Sequence, residues 1–360
     1  MEEHVFVIAE AGVNHNGDVA LGRQLIDAAA DGGADAVKFQ SFRAAALASS
    51  AAPKAAYQKR TTGVAESQVE MLRRLELSVD AHRELRTYAE RRGITFLSTP
   101  FDQDSLDLLV RELGLTTIKV GSGDLTNGPL LVEVGRVAEH VVLSTGMGSM
   151  RDVETGLAAL AYGFTAPPEG VPHGLEDLEH AYASAVGQQR LRDRVTLLHC
   201  TTEYPAPFEA VNLRAMTTLR SAFGLRVGYS DHTQGTHVSL AAAALGAGVI
   251  EKHLTIDRTL PGPDHAASLE PAEFAGLVRH LRDLEVALGD GVKRAMPAEW
   301  KNRAVARKSL VAAEPIAAGA PFTSSNITCK RPGSGVPPEA LWAYIGKPAS
   351  RDFDADELIE

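Results

Sequence analysis

Short apolar runs rich in β-branched residues recur along the chain, and each ends on a polar residue before a stretch of helical periodicity. The runs are 5–10 (VFVIAE), 35–40 (DAVKFQ), 94–99 (ITFLST), 115–121 (LTTIKVG), 140–145 (HVVLST), 195–200 (VTLLHC), 225–230 (LRVGYS) and 248–253 (GVIEKH). Their length and composition predict strands. Segments between them, such as 19–31, 80–92, 103–113 and 236–246, set apolar residues three and four positions apart, which predicts helices with one buried face. Eight strands alternating with helices over about 250 residues predict an α/β fold, a (β/α)8 TIM barrel. An open doubly wound sheet is the rival arrangement. No GxGxxG run follows the first strand to favour it.

The segment 271–288 (PAEFAGLVRHLRDLEVAL) reads as the last amphipathic barrel helix, and the pattern changes after Gly289. We expect a catalytic barrel over 1–288, a linker over 289–305 and a small β-rich domain over 306–360. The last is too short to hold much core of its own, so it is expected to dock on a barrel, its own or a partner's. Two stretches exceed the usual length of barrel connections. Residues 43–68 follow the second strand, and residues 163–190 precede the sixth as a peripheral excursion.

Composition narrows the function classes. The chain has 360 residues and a formal net charge of -10, which argues against a nucleic-acid partner needing clustered Lys and Arg. A small anionic substrate stays open, because a few buried lysines can make a positive pocket inside an acidic protein. Two scattered cysteines, Cys200 and Cys329, form no disulfide framework. The N-terminal residues MEEHVFVIAEAG lack the basic start and long apolar run of a signal peptide, and no stretch is apolar enough to span a membrane. The expected location is the cytoplasm.

In this fold the chemistry sits at the C-terminal ends of the strands. Those ends carry Glu10, Lys38 with Gln40, Ser98 with Thr99, and Lys119 with Ser122. They continue with Ser144 and Thr145, His199 with Thr201 and Thr202, Ser230 with His232, and Glu251 with His253. Strand alternation in VKFQ puts Lys38 and Gln40 on the face opposite Phe39, so Lys38 should face the barrel interior and bind an anion there with Lys119. The small, hydroxyl-rich runs at 121–123 (GSG) and 144–149 (STGMGS) suit a phosphate. His232 and His253 end consecutive strands, about 4.8 Å apart. They could share one divalent metal with open positions for substrate, or be two hydrogen-bonded histidines. His199 reads as a buried, satisfied histidine, and Asp231 with Lys252 as a supporting pair.

The same residues carry a resemblance. AEAGVNHNG (9–17), VKFQSF (37–42), STPFD (98–102), KVGSGDL (119–125), LSTGM (143–147), HCTTEYPAPFEAVNL (199–213), GYSDHT (228–233), IEKHLTID (250–257) and GPDHAASLEP (262–271) stand in the order of one family's signatures. RKSLVAAEPIAAG (307–319) and KRPGSG (330–335) resemble the antifreeze-like, or SAF, domain that closes those enzymes. The chain thus resembles the sialic acid synthase family over almost its whole length, close to the legionaminic acid branch and further from the pseudaminic acid branch. The loop 53–72 resembles both the N-acetylneuraminate and the legionaminate branches and does not choose between them.

The resemblance implies a transferase that condenses phosphoenolpyruvate with an open-chain N-acylated amino sugar and water, releasing phosphate by C–O cleavage. N-acetylmannosamine is put first as acceptor. The alternative is the 2,4-diacetamido-2,4,6-trideoxymannose of N,N'-diacetyllegionaminate synthesis. Glu10, Lys38, Lys119 and Asp264 would form the catalytic set. Lys38 and Thr99 would hold the phosphoenolpyruvate carboxylate, and Lys119, Ser122, Ser144 and Ser230 its phosphate. Glu10, Gln40, Tyr204 and Asp264 would face the sugar or the tetrahedral intermediate, with Phe101, Asp124 and Thr202 counted among the binding residues. His232 and His253 would bind Mn2+, with Mg2+ or Co2+ as alternatives. Arg331 would reach the N-acyl group across a domain-swapped homodimer. Thr202 stands where some members have asparagine, Asp124 where some have glutamate, and Ser334 where KRPGNG is usual. A Schiff-base aldolase using Lys38 or Lys119, and a non-catalytic sugar-binding barrel, are the rival readings.

Overall fold

The computed structural model describes residues 4–63 and 66–360. Residues 1–3 of the acidic N-terminal stretch and 64–65 of the long connection after the second strand lie outside the described residues. The chain divides into two units, Met1–Gly289 and Asp290–Glu360.

The first unit is a parallel eight-stranded barrel. Its strands are β1 Phe6–Gly12, β2 Ala36–Ser41, β3 Thr95–Pro100 and β4 Thr117–Val120, then β5 His140–Ser144, β6 Val195–Cys200, β7 Arg226–Asp231 and β8 Val249–His253. The hydrogen-bonded order is β3-β2-β1-β8-β7-β6-β5-β4, so each strand neighbours the next in sequence and β1 pairs with β8. β3 and β4 pack side by side to close the ring. The order of an open doubly wound sheet is not present.

Strand alternation explains both layers of the core. In β1, Val7, Ala9 and Ala11 join the apolar shell between strands and helices. Phe6 and Ile8 join Ala36, Leu97 and Val249 in a small separate cluster that plugs the barrel interior. Glu10 is next on that inner face. The same parity in β2 sends Phe39 outward, where it stacks on Phe96 at 5.4 Å, and turns Lys38 inward as the sequence predicts. Burial of the outer shell against the helices is the main stabilising term of such a barrel.

The helices form where their patterns and caps predict. Val19–Asp31 begins at Asp18, whose carboxylate accepts from the Ala20 N–H, and Val79–Arg91 begins at Ser78, which accepts from Ala81 N–H. The last barrel helix is Pro271–Leu288. The helix expected over 103–113 is an α turn, Gln103–Asp107, continued by a π turn, Leu108–Glu112. The two long connections are not simple loops. The first carries helices Ala44–Leu47, Ala56–Thr62 and Gln68–Leu75. Its Ala44, Met71, Leu72 and Leu75 build a satellite core with Val13 and Phe42. The second carries Leu175–Ala183 and Ala185–Arg194, which pack on the helix Met150–Thr165.

The second unit holds a short antiparallel pair, β9 Ser309–Ala312 and β10 Ile327–Lys330, with isolated bridges Val311–Leu358, Ile316–Phe353 and Pro321–Pro348. Leu310, Ile316, Phe322, Ile327, Phe353 and Ile359 form its own core. Of the expected linker 289–305, Gly289 groups with the barrel unit and 290–305 with this one, where the helix Trp300–Ala306 begins. Among the described residues, no helix is long and apolar enough to cross a membrane.

Candidate active site

Register brings the first three residues of the site together. Glu10 on β1 pairs with Lys38 on β2 on one side and with His253 on β8 on the other. Lys38 Nζ lies 2.6 Å from Glu10 Oε2 and 3.7 Å from Glu251 Oε2, and it donates to Thr99 Oγ1 at 3.2 Å. Gln40 Nε2 donates to Glu10 Oε1 at 3.2 Å. Across the interior, Lys119 Nζ donates to Ser144 Oγ at 2.8 Å and lies 3.7 Å from Glu251 Oε1. Ser230 Oγ donates to that same oxygen at 2.8 Å. Two lysines and two carboxylates, all buried, thus form one network at the mouth.

Desolvation and neighbours set the charges. Burial lowers the Lys119 ammonium pKa, and the attraction of Glu251 only partly offsets this. Burial works the same way on Lys38, but Glu10 and Glu251 outweigh it and hold that ammonium above its ordinary value. Glu251 is held below the usual carboxylate range: burial pushes it up, and Lys119 and Lys38 pull it down further. Glu10 ends up raised, because burial exceeds the pull of Lys38. Glu10 Oε2 and Glu251 Oε2 both face the Lys38 ammonium, which is therefore shared between the two carboxylates.

Gly12 shapes the Glu10 side of the mouth. It follows a register shift in β1, has φ +52°, and a Cβ there would lie 3.2 Å from Glu10 Oε1 and 3.4 Å from Gln40 Nε2. A second glycine shapes a small hydroxyl-lined cradle. Gly146 N–H donates to Ser122 Oγ at 3.0 Å, and a Cβ on Gly146 would meet Thr202 Oγ1 at 2.3 Å, Ser122 Oγ at 2.7 Å and Cys200 Sγ at 3.1 Å. Thr202 Oγ1 is buried without a partner there. The cradle is walled by hydroxyls, as an anion's oxygens require.

The imidazoles sit beside this network. His232 and His253 ring centroids are 5.5 Å apart. His232 Nδ1 donates to the Thr201 carbonyl at 2.7 Å, which leaves Nε2 as the acceptor nitrogen, 3.4 Å from Ser230 Oγ. His253 Nδ1 is buried with no partner. Burial lowers the pKa of both imidazoles; the Thr201 carbonyl bond opposes it at His232, and at His253 the neighbouring His232 and then Lys38 reinforce it. Neutral imidazoles with open lone pairs fit a divalent metal. Among the described residues, no group of three or more His, Cys, Asp or Glu is disposed to hold one, so further ligands would be oxygens of substrate and water. The paired ends of β7 and β8 are braced: Lys252 Nζ lies 3.1 Å from Asp231 Oδ2, and Asp231 also accepts from Thr233 and Ser239.

Tyr204 lies against both imidazoles, its ring 4.2 Å from His232 and 5.5 Å from His253. Asp264 is buried, and desolvation with the nearby Glu10 charge pushes its carboxyl up to about 7. Asp124 accepts from Asn127 Nδ2 at 2.9 Å in the turn after β4, and burial raises it as well. Phe101 makes an edge contact with Phe42 at 6.2 Å at the rim. Arg331 lies in the second unit, exposed, its Nε donating to the Ala306 carbonyl at 3.1 Å. His199 is satisfied by the Val211 carbonyl at 2.7 Å and packs on Tyr229, outside the network.

Three participants carry no assigned role in the sequence reading. Glu251 shares the inner face of β8 with His253 two positions on, so parity in IEKH was the signal for it. Gly146 was visible only as one glycine in STGMGS. Tyr57 belongs to the connection after β2, where no periodic pattern points inward, and its ring lies 4.9 Å from Tyr204.

Comparison with known proteins places this arrangement. The NeuB family model matches residues 25–293, and the SAF domain model matches 307–360. The chain is 48% identical over 353 residues to the N,N'-diacetyllegionaminic acid synthase of Campylobacter jejuni, covering 98% of each chain. It is 40% identical to the N,N'-diacetyllegionaminic acid synthase of Legionella pneumophila over 98% of this chain and 93% of that one. A solved N-acetylneuraminic acid synthetase from Leptospira borgpetersenii superposes with a TM-score of 0.66 at 31% identity, covering 84% of this chain and 90% of that chain. With a barrel model spanning most of its length and relatives this similar end to end, the chain is an enzyme that belongs to the NeuB family of nonulosonate synthases, closed by a SAF domain.

Proposed function

We propose that the protein condenses phosphoenolpyruvate with 2,4-diacetamido-2,4,6-trideoxymannose and water, giving N,N'-diacetyllegionaminate and phosphate. The network of Lys38 and Lys119 with Glu10 and Glu251 carries the chemistry. The choice of acceptor rests on the two relatives named for that product at 48% and 40% identity, above the 31% of the N-acetylneuraminic acid synthetase. This moves the acceptor away from N-acetylmannosamine, which the sequence analysis put first.

Lys38 and Thr99 hold the substrate carboxylate, and Lys119, Ser122, Ser144, Thr202 and Ser230 hold the phosphate in the Gly146 cradle. Their charges and hydroxyls are already placed before substrate arrives, so little reorganisation is left for the reaction itself. C3 of phosphoenolpyruvate attacks the aldehyde carbon of the open-chain sugar, water adds at C2, and phosphate leaves with C–O cleavage. Holding the two reactants face to face supplies much of the rate. Glu10, raised by burial, takes the proton of the attacking water, and Gln40 orients it. Asp264 exchanges a proton near neutrality and serves the oxygen of the former aldehyde. His232 and His253 would hold a divalent metal, Mn2+ before Mg2+ or Co2+, which would supply Lewis acidity for activating the aldehyde. Tyr204, Phe101 and Asp124 line the acceptor side. Arg331 reaches the acceptor's N-acyl group from the partner in a domain-swapped homodimer, and the enzyme works in the cytoplasm.

The test is phosphate release from phosphoenolpyruvate with each sugar, with Mn2+ and with EDTA. Metal-dependent release with the diacetamido sugar is expected. Release with N-acetylmannosamine alone would return the product to N-acetylneuraminate, and a borohydride-trapped adduct on Lys119 would return the chemistry to a Schiff base.

A further inference from the structure

The connection between β2 and the helix Val79–Arg91 has no place in the chemistry above, yet its described residues are strongly held. Lys54 is buried, and its ammonium donates to Thr62 Oγ1 at 2.8 Å, the Gly63 carbonyl at 3.0 Å and Glu66 Oε1 at 3.0 Å. All three donors of a lysine are used, which is what burying one requires. The bonds staple the short helix Ala56–Thr62 into a compact strap. The strap meets the loop that carries Asp264: Thr61 Oγ1 donates to the Pro263 carbonyl at 3.4 Å. From the same helix, the Tyr57 ring tilts against Tyr204, 4.9 Å away, and Tyr204 in turn touches both imidazoles. A continuous aromatic wall thus runs from the strap to the His232–His253 pair.

We propose that Tyr57 is an acceptor-positioning residue: it braces Tyr204 and completes an aromatic wall for the C–H face of the amino sugar. This rests on the condensation proposed above. Two placements separate it from the phosphoenolpyruvate side. The anion-holding ammonium groups, Lys38 and Lys119, bond to Thr99 and Ser144 and not to the strap. The neighbours of Tyr57 are Tyr204 and the Asp264 loop. A sugar ring offers polarised C–H groups on one face, and an aromatic wall receives them without needing charge. Deoxygenation at C6 enlarges the apolar share of the acceptor, which suits a wall of this kind.

Tyr57→Ala and Tyr57→Phe test it, with phosphate release followed as acceptor is varied at saturating phosphoenolpyruvate, and the reverse. For Tyr57→Ala we expect KM for the acceptor to rise about ten-fold, the worth of one aromatic contact, with KM for phosphoenolpyruvate within about two-fold. Tyr57→Phe, which keeps the ring, should stay within about two-fold on both. An unchanged acceptor KM in Tyr57→Ala, or equal rises in both constants, would overturn the inference. A Tyr57→Phe variant as impaired as Tyr57→Ala would overturn it too, since the ring would not be what matters. Should Tyr57→Ala fail to fold, Tyr57→Leu replaces it under the same criteria. If the unaltered enzyme turns over no acceptor, the proposed function fails and this inference with it; an active enzyme with an indifferent Tyr57→Ala removes this inference alone.

Discussion

Replacing Asp264 by asparagine should stabilise the protein, and by more at pH 8 than at pH 5. The carboxyl is buried, and desolvation with the Glu10 charge raises it from 3.8 to about 7. An acid whose pKa is raised on folding binds its proton more tightly folded than unfolded, so stability falls as pH rises between the two values. Below about 3.8 both states are protonated and there is no penalty; above about 7 both are ionised and the penalty is complete. At 1.36 kcal/mol per unit, the roughly three-unit rise corresponds to about 4 kcal/mol at pH 8 and about 2 kcal/mol at pH 5. Relaxation around the charge makes these upper values. Asparagine keeps the shape and removes the titration. Urea unfolding of both proteins at the two pH values measures the difference directly. The asparagine variant should gain about 2 kcal/mol relative to the parent on going from pH 5 to pH 8. A gain independent of pH, or one that shrinks as pH rises, would refute the placement of a neutral carboxyl in this site. The same substitution should remove the limb near pH 7 from the pH profile of acceptor turnover.

Other outcomes follow from the same geometry. Lys38→Met leaves Glu10 and Glu251 buried without their shared cation and should cost about 3–5 kcal/mol in urea unfolding, with Glu10→Gln in the same chain restoring part of it. Gly146→Ala drives a methyl into Ser122, Thr202 and Cys200, so KM for phosphoenolpyruvate should rise more than ten-fold, on the order of 1.4 kcal/mol or more, and the same clash should lower the melting temperature. His253→Ala should abolish Mn2+ binding measured by calorimetry while circular dichroism stays unaltered; undiminished binding would remove the imidazole pair as the metal site.

Much of this protein was legible in its pattern of apolar and polar positions. The helices Val19–Asp31 and Pro271–Leu288 fall where periodicity placed them, and all eight strands lie within a few residues of their apolar runs. These elements are set locally, by β-branched runs, helical spacing and caps such as Asp18 and Ser78. Parity inside a strand is local too, which is why Lys38 could be assigned to the interior from VKFQ alone and Asp231 with Lys252 to a supporting pair. The helices of the long connection after β2 leave little trace in the sequence, because they are short and the apolar residues along it serve a satellite core that Val13, far off in the turn after β1, helps to complete.

What only the tertiary structure decided is which polar ends meet. The rungs joining Glu10 to Lys38 and to His253 depend on the register of three strands spread over the whole barrel, and register is a property of pairing. The placement of Lys38 between Glu10 and Glu251, and with it the opposite pKa shifts of Lys38 and Lys119, follows from that pairing and from burial. Sequence set the types of residue at the mouth; closure of the ring set their distances, their desolvation and the contact of Tyr57 with Tyr204. Chemistry at this site depends on those distances, because the same lysine is a clamped ion pair at 2.6 Å from a carboxylate and a different acid without it.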